Sequence, residues 1–139
     1  MKALTLKHPW PFAICFLGKR IENRTWAPPR DLLGQRIAIH GGKMPTSQPQ
    51  RNWCRDVIAG YRSRGVFAGE FCTAQIMSCT GIVATAVISH TVRTSDDPWF
   101  DGTGYGWVLT DVLVLPNPIP CKGAQRLWNV PADIESVLI

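Results

Sequence analysis

Apolar and polar residues alternate over Ala3-Leu4-Thr5-Leu6, the pattern of a strand with one buried face. A Pro-Trp-Pro corner (Pro9, Trp10, Pro11) opens the apolar run Phe12 to Leu17, which Gly18 closes. Proline in a first turn forfeits no hydrogen bond and glycine suits the position past a helix end, so a helix is predicted over Pro11–Leu17. Lys19 to Trp26 predicts a second strand, with Arg20, Glu22, Arg24 and Trp26 on one face. Gln35 to His40 alternates again, with Ile37 and Ile39 toward a core and Arg36, Ala38 and His40 on the other face. Trp53, Val57, Ile58 and Tyr61 recur at i, i+4, i+5 and i+8, predicting a helix over Asn52–Arg64 that Gly65 ends. The β-branched stretch Gly81–Val92 and the run Tyr105–Pro116 predict two more strands.

The intervening segments read as connections. Ala27–Asp31 and Met44–Arg51 each carry two prolines, and Val66–Cys79 lacks a clear period and reads as irregular or partly helical. Arg93–Gly106 is long for a loop in a compact domain, the size that often makes a lid or a binding edge. Pro116–Pro120 reads as extended, Ala124–Trp128 as a turn, and Pro131–Leu138 as a short closing helix. These elements describe one α+β domain over residues 1–139.

At 139 residues and 45% hydrophobic content the chain can bury an ordinary core. No apolar run approaches the roughly 18 residues of a membrane span, and the apolar stretch near Phe12 is not patterned as a secretion signal, so a cytoplasmic protein with no membrane partner is expected. The five cysteines are irregularly spaced with no Cys-x-x-Cys pair, and the three histidines lack ligand spacing. They read as reduced thiols, and no motif asks for a metal or another cofactor.

Charge changes the picture more. Residues 1–64 hold 12 Lys/Arg against three Asp/Glu, whereas residues 65–139 hold three against seven. Ten of the 15 basic residues are arginine, the planar fork that suits phosphate and stacks on bases. One basic face and a polyanionic partner are the expectation, with a merely solvated basic surface as the alternative.

Several residues are candidates for chemistry. Glu22 can orient Arg24 or Arg20 while Lys19 meets a phosphate, or the group can be an ordinary surface ion pair. His40 and Lys43 flank Gly41-Gly42 at a strand end, where free backbone N–H groups can meet an anion. His titrates near neutrality and could act as acid or base, with Lys43 or Lys122 as the cation. His8 and His90 have weaker cases. Of the six tryptophans, Trp53 and Trp128 are assigned to the core; Trp10, Trp26 and Trp99 could stack a base, at least one of them exposed in a cleft. The helix carrying Arg55 should present a basic solvent face.

The order Leu4-x-Leu6-x-x-Pro9-Trp10, an apolar helix, Gly18-Lys19-Arg20-x-Glu22-x-Arg24-x-Trp26, then Ile37-Ala38-Ile39-His40 with Lys43, resembles the ASCH (activating signal cointegrator homology) domain. Gly106-Trp107-Val108-Leu109 and Pro118-Ile119-Pro120-Cys121-Lys122-Gly123 with Leu127-Trp128 extend the resemblance to about Pro131. It implies a mostly antiparallel PUA-like β-barrel of about five or six strands with flanking helices, and RNA-related work. Implied is recognition of single-stranded RNA, or more broadly nucleic acid, by Trp10, Lys19, Arg20, Arg24, Trp26, Lys43, Arg55 and Lys122. A metal-independent ribonuclease is a second possibility, with Lys43, His40, Lys19 and Glu22 as its catalytic set. A modified-nucleoside reader or amidohydrolase is a third. The family's amidohydrolases place a threonine nucleophile between the lysine and arginine that Lys19 and Arg24 match, and Glu22 stands in its place.

Overall fold

A computed structural model describes residues 1–138. Its core is a six-stranded sheet in the order β2-β5-β4-β3-β1-β6: β1 (Lys2–Leu6), β2 (Ile21–Arg24), β3 (Arg36–Gly41), β4 (Gly81–Val92), β5 (Tyr105–Ile119) and β6 (Leu127–Asn129). Helices α1 (Trp10–Phe16), α2 (Gln48–Ser63), α3 (Thr73–Ile76) and α4 (Ala132–Leu138) complete the α+β fold. The sheet is mixed, because β1 and β3 run parallel while β2/β5, β5/β4, β4/β3 and β1/β6 are antiparallel. No β2/β6 ladder closes it, so the expected barrel is a curled half-barrel. The curl is sealed by a side chain: Arg24 Nη2 on the edge strand β2 donates to the Thr5 carbonyl on β1 at 2.9 Å.

The two faces of the sheet are both covered. Leu4, Leu6, Ile37, Ile39, Ala84 and Ile88 meet Phe12, Ala13 and Ile14 of α1 and Ile58 of α2 in the larger core. On the other face Ala3, Ala38, Ile82 and Val130 pack under Trp128, Ile119 and Ile134. Ala38 and His40 are therefore buried, not on an open face as the alternation alone suggests. Covering on both sides also explains the continuous burial from Gly81 to Ala86.

Four segments depart from the sequence reading. α2 begins at Gln48, not Asn52, because Ser47 caps it by accepting from Gln50 N at 3.3 Å and Pro49 sits in its first turn. β5 continues through Pro116 and Pro118 to Ile119, since its pairing skips from Ala84–Val114 to Ile82–Ile119 and the prolines bulge out of the ladder. Leu127–Asn129 is an edge strand, not a turn, paired with Lys2–Leu4. The long 93–104 loop is pinned: Trp99 is buried and stacks on Tyr61 at 4.2 Å, and Asn23 Nδ2 donates to the Trp99 carbonyl at 2.9 Å.

Candidate functional site

Where the half-barrel curls over, a cleft of about 870 Å³ opens between the β1–α1 corner, β2, the β3–α2 loop, the start of α2 and residues 124–126. Lys7, Arg24, Lys43 and Arg126 line it, and the single lining carboxylate is Glu22. That carboxylate is already occupied. Lys19 Nζ donates to Glu22 Oε1 at 3.2 Å, and Arg24 Nε lies 3.0 Å from Oε2, an ion pair set by proximity and not by a well-directed hydrogen bond. Lys19 Nζ also donates to the Ile21 carbonyl and sits 5.4 Å from the Trp10 ring centre.

The local sequence builds this group. Gly18, at φ +75°, turns the chain sharply after α1, so Lys19 folds back beneath Trp10 while Glu22 enters β2. Lys19 is 1% exposed and Glu22 5%. Burial pushes the Lys19 ammonium below its ordinary range, opposed by the adjacent Glu22 carboxylate. Two cations share one carboxylate, and the excess positive charge faces the cleft through Arg24. An anion is the ligand that such a site stabilises.

Aromatic surface adjoins the charge. Trp10 and Trp53 line the cleft and meet edge to face at 6.2 Å. Trp53 is half exposed, contrary to its assignment to the core, because the i, i+4, i+5, i+8 set turns it toward the cleft rim while Cys54 and Ile58 face inward. Trp99 is buried instead of free to stack. Trp26 packs on Trp107 at 4.9 Å and is half-buried, and Arg126 covers it at 4.1 Å and itself lines the cleft.

The other predicted residues are placed as follows. Lys19 stands behind the cleft, not in it. Arg20 does not share a face with Glu22 and Arg24; its Nη1 donates to the carbonyls of Ile14 and Lys19, and β2 starts only at Ile21. Arg55 is exposed on α2 and paired with Asp56 at 3.1 Å, away from the cleft. His40 is buried with both ring nitrogens engaged. Its Nε2 donates to the Cys121 carbonyl at 2.7 Å, which leaves Nδ1 to accept from the Thr5 hydroxyl at 3.1 Å. Thr5 Oγ1 in turn accepts from Trp128 Nε1 at 3.0 Å. This chain of hydrogen bonds clasps the 121–128 segment to β1 and β3. Lys43 is exposed on the cleft wall, and Lys122 lies on an adjoining cavity.

Sequence reasoning gave His8 little weight, and it lines the cleft as a buried side chain. His8 Nε2 donates to the Gly42 carbonyl at 2.7 Å, and Nδ1 has no hydrogen-bond partner among the described residues. Burial holds the imidazole below its ordinary value, outweighing the Gly42 carbonyl that favours the charged form. Because the folded value is depressed, the unfolded chain binds more protons as pH falls below about 6.5. Folding should therefore weaken through that window. His8→Gln, whose amide can still donate to Gly42, is expected to flatten the decline in thermal melts between pH 7.5 and 5. An identical pH slope in both proteins would discard this account.

The spacing of Lys7, Gln50 and Arg126 gave no warning that they would meet, since they come from three distant segments. Among the described residues no cluster of His, Cys, Asp and Glu is arranged to hold a metal ion, and no helix is long and apolar enough to cross a membrane. No family model matches the chain, and no curated protein matches it.

Proposed function

We propose that the chain is an ASCH-type domain of the PUA-like class that recognises nucleic acid, foremost single-stranded RNA, in the cleft between β2 and the β3–α2 loop. The observation that carries this reading is the charge arithmetic of the cleft: four lining cations face one carboxylate already shared by Lys19 and Arg24. Phosphate meets Arg24, Lys43, Lys7 and Arg126, and a base lies against Trp10 and the exposed edge of Trp53. The backbone supports the arrangement as well, because the sequence order that suggested the family folds into a curled six-stranded sheet with the Lys19–Glu22–Arg24 group at its mouth.

The test is fluorescence anisotropy of labelled single-stranded RNA, with matched DNA, at two salt concentrations. The four cations of this cleft should contribute a log–log salt slope of about −3, from roughly 0.7 per phosphate. Arg24→Ala leaves a balanced Lys19–Glu22 pair but also unties the Thr5 carbonyl, so with folding verified by thermal melt it should bind at least tenfold more weakly. Absence of binding to either polymer, or binding indifferent to salt, would overturn the reading. A signal that rises and then decays in the presence of chelator would move the assignment to a ribonuclease, with His8 Nδ1 the nearest bare acceptor.

A further inference from the structure

The cleft does not end at Lys43. A second cavity of about 760 Å³ abuts it, and the two share Thr5, Gly42, Lys43, Ala124 and Gln125. Gly42 and Ala124 contribute almost no side chain to this shared wall, and Lys43 is the single charge upon it. Beyond the wall the second cavity is lined by Lys122, Thr80, Pro118 and Pro120, and no carboxylate lines it. Gly41, Gly81 and Gly123 line it with backbone, and close chain packing keeps the first two as glycine: a Cβ on Gly41 would lie 1.6 Å from the Cys79 carbonyl oxygen, and one on Gly81 2.5 Å from that of Ile119.

Two adjacent cavities of similar size, joined over a cation and with a second cation in the further one, offer a polyanion more than one place to bind. Pro118 and Pro120 supply apolar surface for a base to cover, and exposed lysines supply mobile charge for phosphate. We infer that the ligand is a strand of at least two nucleotides. It crosses from the first cavity over Lys43 into the second, with the joining phosphate at Lys43 and the next at Lys122. This inference rests on the nucleic-acid reading of the first cleft and extends it to a polymer with a defined track. Lys122 is exposed and holds nothing in place, so replacing it tests the track without disturbing the fold.

The experiment compares uridine monophosphate with an eight-nucleotide oligouridylate as ligands for the wild-type chain and Lys122→Glu, by calorimetry and anisotropy. The octamer should bind the wild type at least tenfold more tightly than the monophosphate. Lys122→Glu should reduce octamer affinity about tenfold more than monophosphate affinity, and lower the octamer's salt slope by roughly 0.7, the share of one phosphate contact. Equal affinity for the two ligands, or octamer binding untouched by Lys122→Glu, would overturn the track while leaving the first cleft standing. Failure of both ligands to bind would overturn the track and the nucleic-acid reading together. Oligodeoxyuridylate in a parallel titration reports whether the 2′-hydroxyl contributes.

Discussion

Glu22→Gln is expected to destabilise the protein by about 3–5 kcal/mol, the usual cost of stripping one partner from a buried ion pair. Lys19 is left 1% exposed, facing a neutral amide, the Ile21 carbonyl and the Trp10 ring, with no adjacent negative charge to balance it. Arg24 loses its anchor at Nε, although Nη2 keeps the Thr5 carbonyl. The amide is nearly isosteric, so cavity formation contributes little and the loss reports electrostatics. Lys19→Met paired with Glu22→Gln removes the uncompensated ammonium and should recover a large part of the loss. Urea unfolding of both single variants and the double variant measures the coupling. Additive effects would mean that Lys19 and Glu22 do not depend on one another.

Gly123→Ala is the second large effect. The new methyl group would stand 2.5 Å from Thr5 Oγ1 and 2.6 Å from His40 Cε1. Neither neighbour can yield, because Thr5 is held by Trp128 and His40 by Cys121. Overpacking of that kind costs about 1–3 kcal/mol. It also lifts the 121–126 segment, which bears Lys122 over one cavity and Arg126 over the other, so binding should drop tenfold or more. Gly60→Ala is the control: nothing lies within 4 Å of the position, and alanine in mid-helix should add up to about 1 kcal/mol. If the two alanines behaved alike under denaturation, the tight seating of Gly123 on His40 would be wrong.

Local elements were legible in the sequence where period and punctuation agreed. The apolar run ended by Gly18, the β-branched Gly81–Val92 stretch and the alternation before His40 all became the elements they imply. Boundaries slipped where a weak signal was outranked: Ser47 with Pro49 starts α2 four residues before the hydrophobic period becomes visible. Faces were harder. His40 and Ala38 belong to a side of the sheet that local alternation marks as polar, and the end of β5, β6 and α4, all far later in the chain, cover it. Lys19 was legible as a cation, but not as a buried one, since its burial depends on Trp10 swinging over it. Arg126 was the opposite case. It lies outside the basic half of the chain, reaches the cleft from a left-handed backbone conformation (φ +58°), and left no periodic trace.

The placement of β1 has a consequence in time. Leu4 pairs on one side with Ile39 and on the other with Leu127, so β1 waits for its second neighbour long after its first has been made. Synthesis at about 5–20 residues per second separates those partners by roughly 6–25 s. During that interval one edge of β1 is an unfilled template for any extended chain nearby. Non-local pairing of this kind also places refolding in the slower, millisecond-to-second regime. The cleft inherits the delay: β2, which carries Glu22 and Arg24, waits for its only partner strand β5, and the wall formed by Ala124 to Arg126 exists only after Leu127 has docked. The cleft of a nascent chain is therefore incomplete until β6 has been made.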